Sequence, residues 1–454
     1  MRGAIRMNRK QTGSLSGIRT AALAAAAVLA AGALWGCGAR AGGTGARADV
    51  VKDGRVQVTL WYSGGKTAAG VMEELIGDFN SAQQQYQVTG IQQADYDETY
   101  TKLAAAIAGK TGADAALLDS DKARSLAEKG LLAGLNSYFE ADEEPETEDF
   151  VPVFYDQCRL GDGAVFAMPA YGTTQVMYYN RELFDRAGID PEQIGTWQDL
   201  ERAAEAVSGM GGQEKLYGWE PMWGPDNLVD IALSNGGSLL SADGTRVTIN
   251  SDQWVESWEL VRRGIHDAET MAIHSGGQGW EYWYQTMDDV LEGRAGGYTG
   301  SSGDQADLDF SVVGAMEQPG FGENPPAPVA RVLQLVMVEN GKAETKQGVY
   351  EFMKFFAQPA NQARWSMATG YIPVRASTLE DEGYKAYTQE NPQALVPLSQ
   401  AMHASPMPID PTGGKIFDAL EIAADKVEIE NVPVREALDE ACRTAQKALD
   451  EAGR

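Results

Sequence analysis

The sequence predicts an α/β protein built as more than one lobe, and three observations carry that reading. At 454 residues the chain is too long for one ordinary core, which points to two or three lobes or domains. Its 43% hydrophobic content suffices to bury real cores and excludes a disordered or fibrous chain. From residue 56 onward, strand-period and helix-period segments alternate, the rhythm of a mostly parallel sheet covered by helices.

Residues 56–62 alternate apolar and polar, as a strand with one buried face does, and Ser63-Gly64-Gly65 breaks the pattern. Val71, Leu75, Ile76 and Phe79 then recur at helical spacing up to Asn80. A second strand over 86–91 leads to a helix through Leu103 and Ile107, then to a third strand over 115–119. Ligands of such sheets sit beyond the carboxyl ends of the strands. Here those ends offer Trp61, Tyr62 and Ser63, then Tyr96 and Asp97, then Asp119, Ser120 and Asp121. The 164–180 stretch reads as two strands, 165–169 and 175–179, that open a second α/β region continuing past residue 300. Residues 332–338 form a further apolar strand, followed by a helix with Val349, Phe352, Met353 and Phe356 on one face. Apolar residues at 434, 438, 441, 442, 445 and 449 make an amphipathic C-terminal helix. The acidic run over 140–148 reads as a solvated loop or helix end.

The formal charge is −28, and without residues 1–36 the chain has 32 bases against 65 acids, a net −33. A surface this acidic repels phosphate backbones and anionic headgroups, so nucleic acid is not an expected partner. Residues 1–36 combine a basic start (Arg2 to Arg19) with a 14-residue apolar run from Ala21 to Leu34, shorter than the roughly 20 residues a membrane span needs. That run ends in Leu34-Trp35-Gly36-Cys37, which resembles the bacterial lipoprotein signal, with Cys37 lipidated and Trp35 in place of the usual small residue. The other reading is an ordinary secretory signal cut nearby. A Gly/Ala-rich tether over 37–54 would then hold the body at the extracytoplasmic face of the cell membrane. Cys158 and Cys442 read as two buried free thiols, with a disulfide between them left open.

Catalytic and metal signatures are missing from the sequence. His266, His274 and His403 are scattered, and there is neither a His-Glu-x-x-His helix nor a Gly-x-Ser-x-Gly elbow. Gly65-Lys66-Thr67 and Gly109-Lys110-Thr111 lack the opening glycine of a phosphate loop. No cofactor and no metal are expected. Aromatic residues stand out instead: Trp219 and Trp223 before a helix starting near Asp226, the Trp280-Glu281-Tyr282-Trp283-Tyr284 run, and Tyr371 after Gly370. Flat rings stack on sugar C–H faces while nearby Asp, Asn and Ser bond the hydroxyls. The same rings also serve as core between helices, and for Trp283 and its neighbours both readings stand.

Several stretches occur in one order along the chain. They include Tyr171-Gly172-Thr173-Thr174-Gln175-Val176-Met177-Tyr178-Tyr179-Asn180 with Leu183-Phe184, Thr196-Trp197-Gln198-Asp199-Leu200, Ser301-Ser302-Gly303, and Thr369-Gly370-Tyr371-Ile372-Pro373-Val374. Together they resemble the extracellular solute-binding proteins of ABC importers, in the family-1 sugar-binding group and especially its glycerol-3-phosphate-binding branch. The resemblance implies a two-lobed periplasmic-binding-protein-like fold with a hinge and an interlobe ligand cleft. Its lobes would take residues 55–165 plus 326–372, and 166–325 plus 373–454. It also implies permease subunits as partners, a monomer, and no catalysis. Carried over by position, it nominates Trp219 and Trp223, Ser301, Ser302 and Gly303, and Trp61 with Tyr62. Tyr171 and Thr173 come from the matched stretch, and Arg331 stands where the branch has a Gly-Gly. No arginine stands near Phe417 to meet a phosphate, so a neutral sugar or oligosaccharide is the expected ligand and glycerol phosphate the alternative, with Arg331 or Lys415 then supplying charge. A glycan-degrading lipoprotein and a sensory binding protein are the competing functions.

Overall fold

The computed structural model describes residues 51–109, 111–142, 145–212, 215–277, 280–339 and 341–453. The signal segment and Cys37 lie outside them. The described strands are β1 (Val51–Lys52), β2 (Arg55–Tyr62), β3 (Tyr86–Gln92), β4 (Ala115–Asp119), β5 (Ala167–Asn180), β6 (Glu220–Pro221), β7 (Gly297–Ser301), β8 (Val313–Met316), β9 (Val329–Met337) and β10 (Ser405–Pro406).

The folded body begins inside the stretch expected to be tether. β1 pairs antiparallel with β2 across Asp53 and Gly54, whose φ values of 53° and 78° are those a two-residue hairpin turn requires. β3 and β4 then flank β2 in parallel, joined by the helices Lys66–Ala82 and Tyr96–Ala108. The first helix continues past Asn80. That side chain instead ties the helix to β3, donating to the Val88 carbonyl and accepting from its N–H at 2.8 Å each.

The sheet is mixed, a departure from the mostly parallel expectation. β9 runs antiparallel to β4, and β5 antiparallel to β9. β2–β4 are linked by successive helical crossovers, which enforce a parallel direction. β5 instead leaves this half of the molecule for the other, and β9 returns from it. The two strands expected over 165–169 and 175–179 are one. Through Ala167–Thr174 β5 pairs with β9, and from Gln175 to Asn180 it pairs with β7 and β8. A register shift between Pro169 and Tyr171 accommodates the proline, which has no N–H to give the ladder. A single strand thus belongs to two sheets.

Two large cores lie on either side of that crossing. The first gathers Leu60, Tyr62, Met72, Leu75 and Phe79 with Phe352, Phe356, Trp365 and Ile372. The second gathers Phe184, Trp197, Trp254 and Trp258 with Leu420, Val427 and Leu438 of the helices Lys415–Glu428 and Val434–Ala452. Smaller clusters cover the opposite sheet faces, so the fold is two helix-covered α/β lobes joined by crossing strands. Val374, Leu398 and Ala401, which the sequence reading put with the second lobe, bury in the first core. The helix Val396–Ala401 sits at the crossing itself, where Gln400 donates to the Thr174 hydroxyl (2.6 Å) and the Gln175 carbonyl (2.7 Å). Cys158 is buried, Cys442 partly so, and both are free thiols.

Gly172 sits in the middle of the shared strand. It exchanges both backbone hydrogen bonds with Ile372 (2.8 and 2.9 Å), and a Cβ there would fall within the Phe154 ring. Gly172→Ala should therefore cost about 1–3 kcal/mol of stability through overpacking, read as a lower urea midpoint. An unchanged midpoint would mean that Phe154 yields freely.

Candidate ligand-binding cleft

Where β5 and β9 cross between the lobes, three rings stack in sequence. Tyr371 lies on Tyr171 with centroids 4.7 Å apart, and Tyr171 lies on Trp365 at 4.8 Å. The Tyr96 hydroxyl meets that of Tyr171 at 2.9 Å. Burial pushes the phenols of Tyr96, Tyr171 and Tyr371 up, so all three remain neutral hydrogen-bonding groups. Gly303 packs against the Tyr371 ring, where a Cβ would stand 2.7 Å from Cε1. The loop that carries it is latched to β5: the Thr173 hydroxyl bonds Ser301 Oγ (3.2 Å) and Ser302 Oγ (3.1 Å), and Ser301 Oγ accepts from the Gly303 N–H at 3.1 Å.

The second lobe supplies an aromatic wall. Trp223 donates its indole N–H to Asp425 at 2.8 Å, and the N–H of Gly224, at φ 105°, donates to Glu428 at 3.1 Å. Both acceptors stand on the helix Lys415–Glu428, which holds the Trp223 loop in place. The Trp223 ring meets Tyr282 edge-on with centroids 5.0 Å apart. Tyr282 begins the ring series of the helix Glu281–Leu291, where Trp283 donates its N–H to Asp304 at 2.9 Å. Trp280 and Tyr284 leave 56% and 52% of their surface exposed.

Carboxylates rim this wall. Arg331 of β9 pairs with Asp226 at the start of the helix Pro225–Ser234. Burial works against its charge, but Asp226, Asp230 and Asp119 outweigh it and hold the guanidinium protonated. Asp119 is pushed up to about 7 by burial and by Asp121, with Arg331 pulling the other way. Asp304 is pushed up to about 8 by burial, against hydrogen bonds from Trp283 and Tyr298. Glu421 is raised by burial and by the acids around it, among them Asp97 of the first lobe and Asp226 of the second. Beside the carboxyl end of β4, a cavity of about 530 Å³ opens between Ser120, Asp121 and Lys122 on one side and residues 406–414 on the other.

Of the residues nominated from sequence, the structure gathers Tyr96, Asp119, Tyr171, Thr173, Trp223, Asp226, Trp283, Ser301, Ser302, Gly303, Arg331 and Tyr371 in this region, with Ser120 on the adjoining cavity. It does not bring Trp219, Tyr62, Trp61 or Ser63 there. Trp219 is 1% exposed in the second core and donates to Thr299 Oγ1 at 3.0 Å. Tyr62 points into the first core under Gly90, and Trp61, on the opposite face of β2, packs behind the sheet near Leu103 and Ile107. Strand alternation sends adjacent side chains to opposite faces, and helices cover both faces here. Ser63 is buried and accepts from the Thr99 hydroxyl at 3.3 Å. Sequence reasoning missed Tyr282, which meets Trp223, and Asp304, which directly follows Gly303. The aromatic run and the loop motif pointed within one residue of each.

Two lobes joined by shared strands around an aromatic, carboxylate-rimmed cleft define a ligand-clasping binding protein. The chain belongs to the bacterial extracellular solute-binding protein family, whose model matches residues 74–393. This is the extracytoplasmic, substrate-capturing class that serves ABC importers, and its members are binding proteins rather than enzymes. Among curated relatives, the sn-glycerol-3-phosphate-binding periplasmic protein UgpB of Yersinia pestis is 25% identical over 376 residues, 78% of this chain and 82% of that protein. The solved structure of UgpB from Mycobacterium tuberculosis with glycerophosphocholine superposes with a TM-score of 0.76 at 22% identity, covering 88% of this chain and 99% of that one. Lmo0181 from Listeria monocytogenes, solved with cycloalternan, gives 0.76 at 20% identity, covering 88% and 100%. No helix among the described residues is long and apolar enough to cross a membrane.

Asp119 and Asp230, each pushed up to about 7, and Asp304, at about 8, retain protons in the folded state where the unfolded chain's carboxyls are ionised. Their contribution to stability is complete below the unfolded value of about 4 and is lost as pH rises through the folded values. The melting temperature should fall from pH about 5 to about 9, with Asp304→Asn flattening the upper part. A melting temperature that rises across this range would show that the folded state stabilises the charged forms.

Proposed function

We propose that this chain captures a neutral carbohydrate, a sugar or oligosaccharide, between its lobes and delivers it unchanged to the permease of an ABC importer. The observation that carries this reading is the pairing of ring faces with carboxylates around a cation already engaged. Rings at 223, 282, 283 and 371 offer apolar faces for sugar stacking, and Asp119 and Asp226 offer acceptors for hydroxyls. Arg331 is held by Asp226 and flanked by Asp119 and Asp230, which leaves its fork a poor receiver for a phosphate. In this reading residues 55–165 plus 326–372, with Val374 and the helix Val396–Ala401 packed on them, close as one lobe on the rest, bending at the crossing strands. Ligand shifts the open–closed balance only by its preference for the closed state.

A second reading is a glycerophosphodiester with a cationic head, favoured by the ring cluster beside Asp226 and Glu421, which would suit a quaternary ammonium. The curated relative and the glycerophosphocholine-bound structure support that class. A thermal-shift series of the full chain against maltooligosaccharides, cyclic oligosaccharides, glycerol-3-phosphate and glycerophosphocholine separates the two. A shift with one neutral class alone supports the first reading; a shift with glycerol-3-phosphate or glycerophosphocholine alone overturns it. With the responding ligand, Trp223→Ala should weaken binding by about 1–3 kcal/mol while leaving the fold intact. Equal affinity in that variant would make the ring a packing element.

The same proposal places the protein on the outer face of the cell membrane through a diacylated Cys37. Cys37→Ser should move it from the membrane fraction to the soluble extracytoplasmic fraction. Retention of the serine variant on membranes would defeat the lipid anchor.

A further inference from the structure

On the elements that carry Trp223 and Tyr282, Glu220, His274 and Asp289 converge. One potential ligand atom from each lies within 4.8 Å of the others. His274 Nε2 stands 2.9 Å from Asp289 Oδ2 and 3.9 Å from Glu220 Oε2. Two ligands bound tetrahedrally to one ion, each at about 2.0–2.1 Å, stand about 3.3 Å apart, so these separations bracket a cation's coordination sphere. Glu220 supplies the independent observation. It is wholly buried on β6, and neither of its carboxylate oxygens receives a hydrogen bond from an N–H or hydroxyl donor; burial and the adjoining Asp289 carboxylate favour its protonated form. A buried carboxyl beside a second carboxylate keeps a proton unless a cation stands between them, and the His274 imidazole completes a donor set that a cation could use.

We propose that Glu220, His274 and Asp289 form a divalent metal site, with Zn²⁺ as the ion that an imidazole and two carboxylates suit best. Ca²⁺ and Mg²⁺ prefer all-oxygen shells with more ligands. The Arg294 guanidinium bonds Asp289 Oδ1 at 2.5 Å, which fixes that carboxylate with its other oxygen turned to His274, the kind of outer support that metal ligands usually have. Three protein ligands leave a fourth position for water.

The site's place in the fold gives it a consequence. Glu220 precedes Trp223 by three residues, and Asp289 shares a helix with Tyr282. An ion held between them ties together the two elements whose rings meet in the ligand wall, and His274 adds the loop after the helix Asp252–His266. Metal binding then stiffens the wall without touching the ligand.

The test uses the full chain, freed of metal with a chelator and titrated with ZnCl₂ by calorimetry and by thermal shift at pH about 7. One equivalent should bind and raise the melting temperature. His274→Ala and Glu220→Gln should each weaken zinc at least tenfold, in line with the loss of a protein ligand. His403→Ala should not, although His403 stands 3.0 Å from Glu317 at another exposed pair. Wild-type protein that takes up no zinc and shows no shift overturns the site and leaves the two carboxyls sharing a proton. Zinc binding that survives both Glu220→Gln and His274→Ala overturns it too, by placing the ion elsewhere. If either variant fails to fold, as judged by circular dichroism, Asp289→Asn takes its place, and zinc affinity unchanged in that variant overturns the site.

Discussion

The structure depends on one constraint, that β5 pairs with β9 along its first half and with β7 and β8 along its second. A strand cannot serve two sheets unless its backbone stays extended and hydrogen-bonded through the point of exchange. Gln400 and Gln318 meet that demand by donating to the Gln175 carbonyl where the pairing changes partners. Gly172 lets the strand approach Phe154 and the Ile372 backbone. The same few residues carry the floor of the cleft, because Tyr171 stacks beneath Tyr371 and Thr173 latches the Ser301–Ser302 turn. The joint between the lobes and the candidate site are therefore one piece of chain.

The electrostatics follow the same geography. A body with far more acids than bases brings its carboxylates to the lobe interface, and the structure answers them locally. Arg331, carried in by the second crossing strand, is held among Asp119, Asp226 and Asp230 from both sides of the cleft. Asp425 and one oxygen of Glu428 accept hydrogen bonds from the Trp223 loop. The carboxylates at this interface thus scaffold its rings through hydrogen bonds and hold Arg331 in place.

The aromatic residues show how far a sequence can be read. Trp219 and Trp223 are equivalent by composition and spacing, yet one is core bonded to Thr299 and the other stands in the wall. Gly224, at a φ open to glycine, turns the chain between them and the helix that follows. In the Trp280–Tyr284 run the sequence marked the segment, but helix phase chose Tyr282 to meet Trp223 and turned Trp283 toward Asp304. Trp61 and Tyr62 were placed at a strand's carboxyl end correctly and assigned to the cleft wrongly, because both faces of β2 are covered by helices.

By itself the sequence determined the α/β class, the strand–helix rhythm from 56 to 119, the amphipathic helices around 349 and 434, and, through its ordered motifs, the two-lobed binding fold. These rest on local periodicity and on short contiguous patterns, which survive in one dimension. Only the tertiary structure decided the direction of β5 and β9, the single crossing strand, and which rings line the cleft. It also decided the meeting of Glu220, His274 and Asp289. Those depend on contacts between residues tens to hundreds of positions apart. No period or spacing encodes such contacts; they form only when long loops close and the faces of different elements come into register.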